Sequence, residues 1–391
     1  QPRNAIIVCE IGMAVMLLIG GGLLVRSFLN LSAVDPGFDP RNVLMFQVAL
    51  PDPAQARTLT ESMTSEFLDR LRAVPGVESV GFTNAVPLVA RTGFSQPRIE
   101  GTPIAMQGIP EFREVSRDYL AVMGLRLLAG RRFDARDERG QPRAAIINRT
   151  MARYFGAENP LGKTITLAQD TAEIVGIVED IHEQGLNLEP RPQVYIDSRQ
   201  SIGRNADARA LNSAYFVVRV QGDPTSIVPS VRSIAGQVVP NSTLRLNVAS
   251  MDDIVSRSVA RPRFNAVLLG VFGGIAVLLA TIGVYGVTAY AVAQRTREIG
   301  IRVALGAQAR EVVGLVLRHS LLLAVLGVAL GVAGALLLTR YLSGLLFGLT
   351  PMDPATFILV SAAFLSTVAL ASFVPARRAT RVDPVVALRH E

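Results

Sequence analysis

Apolar residues follow two different rhythms along this chain. Four stretches run almost without a polar break: Ala5–Val25, interrupted by Glu10 alone, Phe264 through Gln294, Ser320 through Thr339, and Ala355–Val374. A helix needs about 20 apolar residues to cross the hydrocarbon core. Four such runs, each bounded by Arg or Pro, are hard to bury without lipid. Between the first and second runs the rhythm shortens to strand and amphipathic-helix periods. The pattern predicts an α+β membrane protein: four transmembrane helices, one plus three, around a large mixed α/β extracytoplasmic domain. Residues 1–26 form the first span and 27–260 the external domain. Residues 261–391 hold helices at about 264–291, 318–339 and 355–375, with a cytoplasmic loop at 292–312.

Within the external region, strands are expected at Val43–Leu50, Glu78–Asn84, Ala144–Asn148, Lys163–Leu167, Glu173–Val178, Gln193–Ile196, Tyr215–Val220 and Leu244–Val248. Ala54–Val74 has helical spacing through Leu59, Met63, Phe67, Leu68 and Leu71 and stops at Pro75-Gly76. Met151–Phe155 reads as a short helix and Thr225–Val238 as a helix opened by Pro224. Ser250 caps a last helix through Val259, with Asp252 and Asp253 in its first turn. Both flanking spans lead almost directly into this domain, so helix movement can be transmitted to it.

Composition sharpens the membrane reading. Half of the 391 residues are hydrophobic and 18% are charged, against about 25% in soluble proteins. That excludes disorder. Residues 27–260 carry 25 Lys and Arg against 26 Asp and Glu, whereas the remainder carries 14 against 6. The net charge of +7 therefore lies outside the globular part, which disfavours a nucleic-acid-binding face. One cysteine, Cys9, excludes a disulfide scaffold. Ten Arg (3, 295, 297, 302, 310, 318, 377, 378, 381, 389) flank one side of the spans and four (26, 261, 263, 340) the other. The positive-inside rule then places both termini in the cytoplasm and 27–260 outside it. The first run is too long for a signal-peptide core and lacks a cleavage site. The chain begins with Gln1, and a longer parent protein is expected.

Several stretches imitate catalytic motifs. Gly156 through Thr164 resembles a phosphate-binding loop, but five residues separate its glycines, Pro160 removes a donor, and a strand follows it. His182-Glu183 has no second histidine four residues on, and the three histidines (182, 319, 390) are far apart, so a metal site is not expected. His182 reads as a satisfied loop residue. Asp134, Asp137 and Glu138 among Arg131, Arg132, Arg136 and Arg139 read as a solvated turn. No nucleophile elbow is present. Glu10 is expected near the cytoplasmic interface, paired with a neighbouring Arg or, less favoured, functional within the span. No residue is assigned a catalytic, cofactor-binding or metal-binding role, and the chain is not expected to be an enzyme.

Gly270 with Gly274, and Gly327 with Gly331, form small-residue pairs at four-residue spacing, which permit close helix packing among spans or between subunits. The last three spans lack buried charge, which argues against an ion channel or a proton-driven carrier. The loop after the second span is basic: Arg295, Arg297 and Arg302 surround Glu298, with Ile299, Val303 and Leu305 on or near one helical face and Gly300 and Gly306 able to break it. Composition leaves two readings open: a helix held at the anionic lipid surface, or a docking element for a cytoplasmic protein.

Arg297-Glu-Ile-Gly-Ile-Arg302 followed by Ala304-Leu-Gly-Ala307 resembles the signature loop of FtsX-like permeases of the MacB type, membrane subunits of ATP-binding-cassette (ABC) systems. Val34-Asp-Pro-Gly-Phe38, Pro75-Gly-Val-Glu78, Tyr119 with Met123-Gly124, Gly130-Arg131, Ala145-Ile-Ile-Asn148 and Pro160-Leu-Gly-Lys163 resemble the family's external domain. Pro375-Ala-Arg-Arg-Ala379 with Asp383-Pro384 and Ala387-Leu388 resembles its closing segment. The resemblance covers nearly the whole chain and implies that residues Arg295 to Ala307 contact a cytoplasmic ABC ATPase, which binds the ATP. ATP-driven movement of the spans would then open or close the external domain, in several members without cargo passing through the membrane helices. These 391 residues include no ATPase domain, a departure from the fused MacB arrangement. The chain resembles the C-terminal half of duplicated acidobacterial-type permeases, about twice this length, which implies a bacterial inner membrane. The implied partners are the ATPase, a second permease half or a homodimer partner, the lipid bilayer and, as a further candidate, a periplasmic adaptor, with no nucleic acid. The implied function is the permease and mechanotransmission subunit of an ABC export system. The alternative is a membrane-anchored regulator that recruits or activates an extracytoplasmic hydrolase.

Overall fold

The computed structural model describes residues 2–49, 53–90, 98–99, 110–138, 141–167, 170–201, 213–238, 246–294, 309–342, 344, 346–350 and 352–379. The chain divides into two units, Gln1–Ala33 with Val259–Glu391, and Val34–Ser258.

In the first unit, four helices among the described residues are long and apolar enough to cross a membrane. They are α1 (Pro2–Ser32), α8 (Ala260–Gln294), α9 (Ala309–Leu342) and α10 (Pro354–Ala379). Ile7, Ile11, Val15, Ile19 and Leu23, four residues apart, form one buried stripe on α1. Ala280 and Val284 of α8, Ala324 and Val328 of α9, and Phe364 and Val368 of α10 cover that stripe. Lipid is as apolar as these side chains, so close fit holds the helices together. α1 does not end near residue 26: the helix continues to Ser32. Its polar last turns are held by the α9–α10 loop. Arg26 pairs with Asp353, Ser27 Oγ accepts the Phe347 N–H at 2.7 Å, and Asn30 Nδ2 donates to the Gly348 carbonyl at 3.3 Å.

The two glycine pairs behave differently. A Cβ on Gly331 would lie 2.6 Å from the Gly12 carbonyl oxygen and 2.7 Å from Val15 Cβ, and one on Gly327 would overlap Ile11. A Cβ on Gly270 or Gly274 would meet nothing within 4 Å. The second span instead meets α1 through Gly273, against Leu18, and Gly283, against the Glu10 carboxylate. Gly331→Leu is expected to force α9 from α1 at about 1–3 kcal/mol and to lower the melting midpoint in detergent. Gly274→Leu is expected to leave it unchanged. Equal shifts in the two variants would contradict this division of faces.

The second unit is built on one sheet. Its strands are β1 (Val43–Ala49), β2 (Val77–Thr83), β3 (Arg98–Ile99), β4 (Glu111–Val115), β5 (Leu127–Gly130), β6 (Ala144–Asn148), β7 (Thr164–Leu167), β8 (Asp170–Val178), β9 (Gln193–Asp197), β10 (Ser213–Val220) and β11 (Leu246–Ser250). The helices are α2 (Pro53–Arg72), α3 (Tyr119–Val122), α4 (Arg149–Ala152), α5 (Ser198–Ser201), α6 (Val228–Val238) and α7 (Met251–Ser258). Among the described residues the strand order is β11-β1-β10-β2-β4-β9-β6-β8-β7-β3, with β5 added on β8. The β4–β9 and β6–β8 pairs are parallel and the others antiparallel.

Strand alternation sorts the core into layers. Val43, Met45, Tyr215, Val217, Ala144, Ile146 and Tyr195 share one apolar cluster that extends into both halves of the sheet. Their neighbours point the other way into two separate clusters. Leu44, Phe46, Phe216 and Val218 pack with Phe67 of α2 and Val231 of α6. Ala145, Ile147, Val194 and Ile196 pack with Met151 and Phe155. Stacked and tilted rings of Phe46, Phe67 and Phe216, 5.0–6.4 Å apart, centre the first of these.

The expected strands are present, with small shifts of bounds: the last begins at Leu246 and runs through Ser250. Ser250 Oγ still accepts the Asp253 N–H at 3.1 Å as the cap of α7. The helix expected at Thr225–Val238 opens as a 3-10 turn, Pro224–Ile227, before α6. β3, β4 and β5 were not expected. β4 reads Glu-Phe-Arg-Glu-Val, yet all five residues are buried.

Candidate transmission site

The first and last strands of the sheet unit are neighbours. The β1–β11 register pairs Leu44 with Ser250, which sets the start of β1 beside the end of β11, about 5 Å away. Phe38 and Val43, on the incoming side, and Met251 and Ile254 of α7, on the outgoing side, belong to the same apolar cluster. By sequence, α1 ends two residues before Val34, and α8 begins two residues after Ser258.

Residues 34–42 act as a strut fixed at several points. His182 N–H donates to the Pro36 carbonyl at 3.0 Å, and Asp39 N–H to the Met123 carbonyl at 2.9 Å. Gly37, at φ +81°, turns against the Asp180 carbonyl with no room for a Cβ, and its N–H donates to Asp35 Oδ1 at 2.9 Å. Gly124, at φ +69°, leaves space for Asp39. From β10, Arg219 donates to the backbone carbonyls of Asp39 at 3.0 Å, Arg41 at 2.8 Å and Val122 at 2.7 Å. The Arg41 guanidinium holds the Asp39 carboxyl below the usual carboxylate range, with Arg219 adding to it. An open cleft of about 820 Å³ lies along the strut, edged by Asp35, Arg41, Arg126, Arg149 and Glu179.

Behind the strut, Arg113 of β4 and Glu183 form a buried ion pair, at 1% and 2% side-chain exposure. Arg113 Nε donates to Glu183 Oε1 at 3.2 Å, and Gln193 Nε2 donates to the same oxygen at 2.8 Å. Arg113 Nη2 also bonds the other carboxylate oxygen and, at 3.4 Å, the Ala90 carbonyl. Burial pushes the Glu183 carboxyl up against the downward pull of Arg113. Burial likewise raises the hydroxyls of Tyr119 and Tyr195.

The imitation motifs resolve into structure. In the loop resembling a phosphate site, the N–H groups of Gly156, Glu158, Gly162 and Lys163 donate to backbone carbonyls and that of Leu161 to Asn159 Oδ1. His182 Nδ1 lies 2.9 Å from the Leu188 carbonyl oxygen. Among the described residues no group of three or more His, Cys, Asp and Glu is placed to hold a metal. The stretch around Asp134 is not a plain solvated turn. Asp137 is 2% exposed and takes a two-pronged bond from Arg131 at 2.6 and 2.8 Å. Asp134 and Asp137 also form a capping box, and Arg136 holds the Asp134 carboxyl well below the usual range.

The loop residues Arg295, Arg297, Glu298, Ile299, Gly300, Arg302, Ala304, Leu305, Gly306 and Ala307 lie outside the described residues. Gln294 and Ala309, the ends of α8 and α9, flank them. Sequence reasoning did not identify the strut or the Arg113–Glu183 pair. Asp35-Pro36-Gly37 carried the signal for the first, since Pro-Gly marks a turn. No pattern announced the second.

Residues 5–238 match the MacB-like periplasmic core domain, and residues 270–384 match the FtsX-like permease C-terminal domain. The chain is 26% identical over 339 residues to "Macrolide export ATP-binding/permease protein MacB 2" of Aeromonas hydrophila, covering 85% of this chain and 49% of that protein. It is 27% identical over 312 residues to "Probable syringafactin export ATP-binding/permease protein SyfD" of Pseudomonas syringae, covering 79% and 45%. The chain thus spans about half the length of the curated relatives it matches. The crystal structure of the periplasmic region of MacB from Actinobacillus actinomycetemcomitans aligns at TM-score 0.41 and 15% identity, over 58% of this chain and 97% of that one. The core-domain match alone takes in more than half of the residues, and the C-terminal match follows it among the apolar helices: this multi-pass membrane protein belongs to the FtsX-like, MacB-type family of ABC transporter permeases.

Proposed function

We propose that the chain is the permease and mechanotransmission subunit of an ABC-type export system. A separate cytoplasmic ATPase binds and hydrolyses ATP, and this chain, not itself an enzyme, converts that cycle into movement of its external domain. One observation carries the reading: the chain enters and leaves the sheet unit on adjacent strands, β1 and β11, anchored in one apolar cluster. A shift of α1 against α8 is thereby applied to neighbouring strands of a single core. Both termini and the loop 292–312 are cytoplasmic in this reading, and residues 27–260 are external. A second permease half or a second copy completes the assembly. The names of the relatives, ATP-binding/permease proteins, support an ATPase partner.

Coupling requires the ATPase to bind one arrangement of the loop better than another. The test is purification from native membranes, with and without trapped nucleotide, of the unaltered chain, Glu298→Ala and Gly306→Pro. The unaltered chain is expected to retain a stoichiometric ATPase, and both variants to lose ATP-dependent activity while inserting normally. Normal ATP-dependent activity in both variants would refute docking through this loop. An extracytoplasmic hydrolase copurifying in place of exported cargo would replace export with the regulator reading.

A further inference from the structure

We propose that the sheet domain is itself hinged between β2 and β4, with the strut at residues 34–42 as its lever. Three observations converge on that seam. First, β11, β1, β10 and β2 form one block and β4, β9, β6, β8, β7 and β3 another, and the strand pairing that joins them is a single residue pair, Thr83 with Val115. On either side of it one ladder bond remains, Ser116 N–H to the Phe82 carbonyl at 2.9 Å and Asn84 N–H to the Glu114 carbonyl at 3.1 Å, and a side chain replaces the reciprocal one. Phe82 N–H donates to Ser116 Oγ at 2.9 Å, and Glu114 N–H donates to Asn84 Oδ1 at 3.1 Å.

Second, the two faces of the sheet differ at the seam. One apolar cluster spans both blocks on one face, whereas on the other each block has its own. A joint with an intact apolar layer on one side and a gap on the other bends toward the gap. The gap is a polar groove of about 330 Å³, with Thr64, Ser65 and Arg72 of α2 on one wall and Ser198 and Arg199 on the other. Its floor, Ser116-Arg117-Asp118, continues β4: Arg72 Nη2 of the first block reaches Asp118 Oδ2 across the seam at 3.0 Å, whereas Arg117 Nη2 bonds Glu138 Oε1 at 2.9 Å within the second block. Arg199 Nη1 reaches the same Glu138 oxygen at 3.0 Å. Asp118 makes no capping bond to α3, so its carboxylate is left to Arg72. These residues are substantially exposed, and exposed ion pairs are weak and exchangeable. The Arg72–Asp118 pair suits a latch that opens more than a permanent weld.

Third, the strut touches both blocks. Arg219 of the first block holds Asp39 and Arg41, and His182 of the second holds Pro36. Tilting the strut therefore moves one block relative to the other. That the membrane spans drive this tilt rests on the transmission reading above, whereas the hinge itself does not.

The test uses the full chain in lipid nanodiscs with Cys9 replaced by Ser, and spin labels at the exposed positions Arg232→Cys of α6 and Ala157→Cys of the second block. Arg232→Cys with Glu78→Cys, both in the first block, is the control. Asp118→Ala is expected to broaden the cross-block distance and add a longer component, enriched up to about fivefold. The control distance is expected to stay narrow, and Asp118→Glu to restore the unaltered cross-block distribution. A cross-block distance as narrow as the control in the unlatched variant overturns the hinge. A hinge that opens on unlatching but ignores nucleotide on the copurified ATPase upholds this proposal and overturns the transmission reading.

Discussion

Glu183→Ala is expected to destabilise the external domain by about 3–5 kcal/mol, because it leaves the Arg113 guanidinium buried without its counter-ion. For a unit of this size that corresponds to a melting midpoint lower by roughly 10 °C, read by thermal unfolding of the full chain in detergent. The cost lies in the uncompensated charge, so replacing both partners tells the pair apart from its volume. Arg113→Met with Glu183→Leu is expected to recover most of the loss. The recovery is incomplete because Gln193 Nε2, which donates to Glu183 at 2.8 Å, loses its acceptor. A double variant as unstable as Glu183→Ala would show that the site needs its polar network as a whole. An unchanged midpoint in Glu183→Ala would show that water reaches Arg113.

The same pair marks the limit of what the sequence makes legible. β1, β6, β9 and β10 are strongly apolar, and their periodicity placed them within a residue or two. The four spans were legible for the same reason, since length and composition alone decide them. β4 was not, because a buried Arg on a strand looks like a solvated one until its partner, 70 residues away, is known. The Asp137 carboxylate was misread likewise: a dense run of Arg and Asp has the composition of a surface loop, whether or not Arg131 closes over one acid. Gly270 and Gly274 show a different limit. Their spacing is that of a packing motif, but spacing does not say which side of a helix faces a neighbour. In this chain Gly273 and Gly283 face α1. The strut was half visible, since the Pro-Gly turn can be read directly but its contacts with Asp180, His182 and Arg219 depend on the folded sheet.

Gly37→Ala is expected to be the most damaging single methyl group in the strut. Two costs add there. At φ +81° an L side chain is strained by about 1–2 kcal/mol. The new Cβ would also fall on the Asp180 carbonyl oxygen, a backbone atom that no rotamer change can move aside, so overpacking adds about 1–3 kcal/mol. Gly76→Ala separates the two terms, because Gly76 has a similar φ of +85° and nothing within 4 Å of the added methyl. Its midpoint is expected to fall by the backbone strain alone. Under the proposed transmission, the decisive measurement is ATP-dependent activity at a temperature where both variants remain folded. If the strut carries motion from α1 into the sheet, displacing it from Asp180 and His182 uncouples Gly37→Ala, while Gly76→Ala, at the turn into β2, retains full coupling. Equal activity in the two folded variants would mean that movement reaches the domain through α7 and β11 instead. The strut would then be a support for the sheet and not its lever.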